Sequence, residues 1–351
     1  MTTGRRVLVS GHRGYVGAVL APVFLGAGLD VVGMDVDFYR GCDLLPLTDI
    51  PSIEKDIRDV EPADLVGFDA VVHLAALSND PIGNIDAGWT TDINVDGTVR
   101  LAEAARDAGV ERFLFSSSCI MYGMAEGGLV DEESPLDPQT EYARSKVVAE
   151  RALSDLATGS FSPVYLRNGT IYGVSPRMRF DTVLNNLTGV AVTTGTITVL
   201  SDGTPWRPLV HVRDVARAFL AVLHAPAETI HDQAFNIGAD SLNYQVRDLA
   251  LAVQRAVPGA ALEIRAAPDA DQRTYRTNFA KFAGAFPGFR FEHDADNGAV
   301  ELATAFRDLD LSHEAFTSDR FTRLKRLRRL IDEGALDANL RWRVREALIA
   351  E

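Results

Sequence analysis

The chain predicts a doubly wound parallel α/β sheet, and three observations carry the prediction. Short apolar, β-rich runs alternate with helical patterns through the first half of the sequence. The first run ends in a glycine-spaced loop that opens a helix. The polar clusters that follow later runs all fall at their C-terminal ends, where the ligands of such sheets bind.

In order, Arg6-Val-Leu-Val-Ser10 reads as a first strand that ends in Gly11-His-Arg-Gly14-Tyr-Val-Gly17, and Ala18 to Leu25 carries a helical apolar pattern. Glycines there let the chain turn tightly and let a pyrophosphate approach the amides of a helix N-terminus, although the spacing alone also suits a plain tight turn. Val31-Val-Gly-Met34 reads as a second strand, ending in Asp35, eighteen residues after Gly17. A carboxylate at that point can accept hydrogen bonds from the 2′- and 3′-hydroxyls of a ribose, and it repels a 2′-phosphate. NAD is therefore favoured over NADP, while Arg13 inside the loop could hold a phosphate of either. Asp69 to Ala76 is a continuous apolar run of the kind found in a strand buried on both faces. His73 within it reads as a satisfied core histidine rather than a catalyst. Thr98 to Ala108 is helical in pattern, and Arg112-Phe-Leu-Phe115 is another short strand leading into Ser116-Ser-Ser118.

Tyr142-Ala-Arg-Ser-Lys146 places a phenol and an amine on one face of a helical run. A phenol near pKa 10 is a poor base at neutral pH, but an ammonium beside it stabilises the phenolate, which could then take a proton from an alcohol. A surface Tyr and a surface Lys would show the same spacing, so the rest of the chain has to supply a hydride acceptor, a third hydroxyl and a place for a polar substrate.

Composition sets the outer limits. The 351 residues are 46% hydrophobic and 24% charged, an ordinary globular balance with material for one large core or two smaller ones. A formal net charge of -14 argues against nucleic acid or an anionic membrane as partner, and it makes focused arginines informative. Cys42 and Cys119 give no disulfide framework, and no His or Cys spacing suits a metal, so no metal is expected and a reducing cytosol is the simplest location. No apolar segment is long enough for a signal peptide or a membrane span.

From about Val7 to about Phe289 these motifs resemble the extended short-chain dehydrogenase/reductase family, and within it the nucleotide-sugar epimerases and dehydratases. The resemblance is carried by the glycine loop, Asp35, Asp56-Ile57, His73-Leu-Ala-Ala76, Asn94-Val-Asp-Gly-Thr98, Ser116 to Ser118, Tyr142 to Lys146, Leu166-Arg167, Tyr172-Gly173, and Arg207 ahead of Val210-His-Val-Arg-Asp214. It implies a Rossmann domain over residues 1–166 and about 209–243, a smaller α/β substrate lobe over about 167–208 and 244–310, and a helical C-terminal extension over 311–351. Residues 210–225 are expected to form a strand and helix that return to the nucleotide sheet. The resemblance places the glycine loop (Gly11, Arg13, Gly14, Tyr15, Val16, Gly17) on NAD. Asp56 and Ile57 would flank its adenine. Leu74, Ala75, Ala76 and Ser116 would line the rest of its course, Asn94 would help fix the nicotinamide side, and Lys146 would also bond the nicotinamide ribose. Ser118 becomes the third catalytic hydroxyl beside Tyr142 and Lys146.

For a nucleoside-diphosphate sugar, the expected contacts are Ser78, Asn79 and Asp80 after the fourth strand, Ser118 and Tyr142, Thr170, Asn185 or Asn186, and the diphosphate ligands Arg207 and Arg273. A guanidinium suits bidentate phosphate binding. Thr196 to Leu200 is a possible strand for the nucleotide base, and a homodimer is the usual family arrangement.

Two departures narrow the chemistry. The Asp-Glu pair that follows the catalytic hydroxyl in sugar 4,6-dehydratases is here Cys119-Ile120, and an isoleucine cannot move a proton; Cys119 reads as packing. The family's usual Asn four residues after Leu166 is Thr170, for which neighbouring Asn168 could compensate. The expected reaction is NAD-dependent epimerisation through transient oxidation of a sugar hydroxyl, at C4. A reductase, dehydrogenase or dehydratase with exchangeable cofactor and a non-catalytic dinucleotide sensor stay open. Residues 316–330, rich in Arg and Lys on a helical period, read as a solvated or subunit-packing helix.

Overall fold

The computed structural model describes residues 4–78, 86–265 and 273–343. Seven strands form the central sheet: β1 (Arg6–Ser10), β2 (Asp30–Met34), β3 (Ser52–Ile53), β4 (Ala70–His73), β5 (Arg112–Ser118), β6 (Ser162–Asn168) and β7 (Gln233–Ile237). Their order is β7-β6-β5-β4-β1-β2-β3, with every neighbouring pair parallel. The order reverses between β1 and β4, and that switch point opens a crevice at the strand C-termini.

Burial follows the residue pattern. All four residues of β4 and all seven of β6 are buried, as apolar runs covered by helices on both faces require. One apolar cluster packs β1, helix Gly17–Gly26 and helix Val212–His224 on one face; a second packs Leu8, Val32, Val71, Phe113 and helix Gly97–Asp107 on the other. Among the described residues, no helix is long and apolar enough to cross a membrane.

Two expectations change here. The strand ahead of helix Val212–His224 runs over Trp206–His211 and does not enter the nucleotide sheet. It pairs in parallel with Thr170–Tyr172 and antiparallel with Asn243–Gln245, because both edges of β6 are already taken by β5 and β7. The helix itself does return, packing on helix Gly17–Gly26. The basic segment 316–330 is not one solvated helix either. It forms helix His313–Thr317 and helix Arg323–Asp332, and the second buries Leu327 and Leu330 in the same cluster as Leu8, Met34 and Ile57. The hydrophobic stripe of that helix decides its position, and its arginines are carried onto the nucleotide domain with it.

Candidate active site

A single cleft of about 870 Å³ runs from the glycine loop across the sheet's switch point to the smaller sheets. At its first end, Gly11 adopts φ +75° and donates its N–H to Met34 O at 2.8 Å, and a Cβ there would lie 2.6 Å from Ala75 N. A Cβ at Gly17 would come 2.3 Å from Gly11 O. Only glycine leaves this turn open for a phosphate. Asp35, just past β2, accepts from the amides of Arg13 (2.9 Å) and Asp37 (2.8 Å), which hold its carboxylate at the cleft wall. Arg13 is paired at 3.1 Å with the buried Asp37, a carboxylate it shares with Arg177 (3.2 Å) and Arg40 (3.5 Å). Asp56 caps the turn Ile57–Asp59 through the Arg58 amide, and both Asp56 and Ile57 line the cleft.

Leu74, Ala75, Ala76 and Ser78 continue the wall beyond β4; Asn79 and Asp80 lie outside the described residues. Asn94 does not line the cleft. It sits in a one-turn π-helix, is 1% exposed, and clasps Leu77 from both sides: Oδ1 accepts from Leu77 N at 2.8 Å and Nδ2 donates to Leu77 O at 3.0 Å. Its amide therefore shapes the loop that follows β4 instead of meeting a ligand. His73 is held between Ser10 Oγ (2.6 Å) and Thr98 Oγ1 (2.8 Å), and burial, with the Lys146 charge adding, pushes it down to about 3. A histidine that folds neutral must be charged as the chain unfolds in acid. Stability should therefore be unaffected by it above pH 6.5 and fall by roughly 1.4 kcal/mol per pH unit below that, down to its folded pKa. Melting curves of wild type and His73→Gln between pH 7 and 4.5 check this: the variant should lose stability less steeply, and parallel curves would refute it.

Tyr142 and Lys146 occupy the first turns of helix Glu141–Asp155, whose start is capped by Thr140 Oγ1 accepting from Ala143 N at 3.1 Å. Lys146 Nζ lies 5.6 Å from the Tyr142 ring centre and 4.4 Å from that of Phe115, and donates to Ser116 O at 2.8 Å. Burial pushes its ammonium down to about 7, with Glu150 one turn further on pulling the other way. Ser118 ends β5 with its Oγ accepting from Ile120 N at 3.3 Å. Ser118, Tyr142, Lys146 and Ser116 all face the same cleft. Cys119 does not: it is fully buried, its thiol donates to Arg167 O at 3.0 Å, and burial raises its pKa.

On the far side, Thr170, Asn186, Thr198, Leu200, Arg207 and Arg273 line the cleft. Arg207 donates to Trp206 O at 2.9 Å and to Arg273 O, which seats the two arginines side by side. Asn185 is not among the lining residues. It is fully buried, accepting from Gly173 N (3.0 Å) and donating to Tyr15 Oη (3.0 Å) and Arg179 O (2.9 Å), so it has nothing left for a substrate. Tyr15 lines the wall, but its hydroxyl donates to Gly173 O at 2.7 Å. Asn168 gives its amide N–H groups to β5 and β6, to Ser116 Oγ, Ser117 O and Leu166 O, while its buried Oδ1 has no partner among the described residues.

Two lining arginines went unread in the sequence. Arg179 donates to Ser78 Oγ and O (both 2.9 Å) and to Asp181, whose carboxylate it holds down to about 2 against the opposing effect of burial. The alternation Arg177-Met-Arg179-Phe-Asp181 was the available signal. Arg323 arrives from the C-terminal extension, and no local pattern could have announced it.

The residues present fit a bound dinucleotide: Gly11 and Gly17 leave no room for a Cβ, the Asp35 carboxylate lines the cleft and could accept from a ribose, and the orphaned Asn168 Oδ1 can accept from an amide such as a carboxamide. The fold is that of a dinucleotide-dependent enzyme, and Ser118, Tyr142 and Lys146 line one cleft with the glycine loop. The chain belongs to the NAD dependent epimerase/dehydratase family, whose model matches residues 7–238. It is 31% identical to the UDP-glucose 4-epimerase of Mycolicibacterium smegmatis over 267 residues, 72% of this chain and 82% of that one. It is 30% identical over 331 residues to the UDP-glucose 4-epimerase of Corynebacterium glutamicum, covering 88% and 98%. The Thermus thermophilus UDP-glucose 4-epimerase in complex with NAD superposes with a TM-score of 0.72 at 25% identity, over 86% of this chain and 99% of that one. NAD is the cofactor.

Proposed function

We propose that the protein is a nucleotide-sugar epimerase that inverts C4 of a hexose carried on a nucleoside diphosphate. The observation that carries the reading is the meeting of Ser118, Tyr142 and Lys146 in one cleft with the dinucleotide cradle, with no proton-moving side chain directly after Ser118 facing it. Cys119 is turned into the core and Ile120 is apolar, which disfavours elimination of water. The relatives named above are UDP-glucose 4-epimerases, so UDP-glucose is the first candidate substrate.

Ser118 holds the C4 hydroxyl, and Tyr142, ionised, takes its proton. Lys146 balances the phenolate; each charge favours the other, so the pair titrates as a unit. NAD, when bound, supplies the chemistry that the side chains lack, since an unactivated C4 hydrogen is not acidic and inversion needs a transient ketone. Arg207 and Arg273 meet the diphosphate, Thr170 and Asn186 face the sugar, and the strand Thr196–Val199 faces the base. Residues up to about 166 and again from about 212 to 243 serve the cofactor, and 167–211 with 244–310 serve the substrate. A homodimer in a reducing cytosol completes the reading; the free thiols Cys42 and Cys119 support the location.

The test is to incubate the purified protein with UDP-glucose and no added cofactor. Approach to a UDP-glucose/UDP-galactose equilibrium is expected. Should UDP-glucose fail, thermal-shift screening of dTDP, GDP, ADP and CDP sugars selects the substrate, because a true ligand raises the melting temperature by mass action. Turnover of the selected sugar only with NAD or NADH in stoichiometric amount would overturn the epimerase reading in favour of a reductase or dehydrogenase.

A further inference from the structure

The C-terminal extension meets every loop around the adenosine half of the cleft. Trp342 Nε1 donates to Val36 O at 2.6 Å, and its ring centre lies 6.0 Å from that of Phe38. Arg326 donates to Phe38 O (3.4 Å) and Arg40 O (3.2 Å), on the same loop after Asp35. At the next loop, Arg58 donates to Asn339 O (2.8 Å) and Leu340 O (3.2 Å), and Arg341 pairs with Asp56 at 3.3 Å. Leu327, Leu330, Leu336 and Leu340 anchor the whole segment in the sheet's own apolar cluster.

From this anchored segment Arg323 enters the cleft. Its guanidinium carbon stands 4.8 Å over the Tyr39 ring, Nη1 is 3.5 Å from Ser78 Oγ, and Nη2 is buried with no hydrogen-bond partner among the described residues. Burial and the nearby Arg179 charge work against its protonated form; Asp181 favours it, but that one carboxylate already pairs with Arg179 at 2.9 Å. An arginine does not surrender its proton, so a buried guanidinium in this position calls for an anion. We infer that the anion is the diphosphate of bound NAD, and that the extension is a clamp which holds the cofactor by covering its adenosine half and supplying Arg323 to its phosphates. The flanking residues favour NAD over the nucleotide sugar, whose diphosphate has the same chemistry. Tyr39 follows β2, on the cofactor side, whereas Arg207 and Arg273 stand on the substrate side. An enzyme that recovers its oxidant in every cycle loses nothing by holding it, although the inference requires NAD binding only and not epimerisation.

The test uses the full-length holoprotein. NAD release is followed by displacement with excess fluorescent etheno-NAD, in parallel with KM for the nucleotide sugar. In Arg323→Gln, release should accelerate about tenfold or more, the loss expected when a charge-assisted bond to phosphate is removed, with KM changed by less than about twofold. Arg323→Lys should fall between the two. An unchanged release rate would overturn the inference, as would a tenfold rise in KM with release unaltered, which would assign Arg323 to the substrate. If Arg323→Gln does not fold, Trp342→Phe deletes only the bond to Val36 and should speed release about threefold or more; no change there carries the same refutation.

Discussion

Replacing Tyr142 with Phe is expected to lower turnover by about 10³-fold, the middle of the range for loss of a general base, while the purified variant keeps its NAD. The hydroxyl is the only group the substitution removes, and Lys146 keeps its bond to Ser116 O and its place over Phe115. Cofactor absorbance after denaturation and initial rates with the nucleotide sugar give the two readouts. Turnover within tenfold of wild type would remove Tyr142 from the chemistry. A rate profile adds a sign: burial lowers the pKa of the Lys146 ammonium while Glu150 raises it, so the limb of the profile that reports loss of this charge lies below that of an exposed lysine. In Glu150→Gln the amine loses its one favourable carboxylate, and the profile should move to lower pH.

The second large effect is on stability. Arg167 and Glu150 are both 7% exposed and joined at 2.7, 3.1 and 3.2 Å, and Arg167 also donates to Tyr122 Oη (3.1 Å) and Glu132 O (3.2 Å). This pair ties the helix that carries Tyr142 and Lys146 to β6. Arg167→Met leaves Glu150 buried without its partner and should cost about 3–5 kcal/mol, whereas the double variant Arg167→Met/Glu150→Leu should recover much of that loss. Urea denaturation of the three proteins decides it, and a double variant no more stable than Arg167→Met would refute the argument. Leu166-Arg167 was legible as part of a family motif, but its role here is to hold a helix in place.

What could be read from the residues was whatever depends on near neighbours in the chain. Gly11 and Gly17 mark a turn no side chain can occupy, Asp35 follows the second strand, and Tyr142 and Lys146 share a helix face because of their spacing. Asn185 and Asn94 were misread for one reason: an amide in a motif looks the same whether it faces a ligand or clasps a loop, and only the backbone groups of Gly173 and Leu77 settle the matter. Strand Trp206–His211 was placed in the wrong sheet because pairing depends on which edges are already filled.

By itself, the sequence determined the alternating parallel architecture, the glycine-spaced turn after the first strand and the shared helix face of Tyr142 and Lys146, since each follows from local periodicity or from residues a few positions apart. Tertiary structure alone decided which polar groups face the cleft and which are spent inside, and it brought Arg323 to Tyr39 and Ser78 across more than two hundred residues of chain. The physical reason is that Leu327, Leu330, Leu336 and Leu340 find their burial against the distant first strands, and a side chain carried on that apolar stripe goes wherever the stripe is buried.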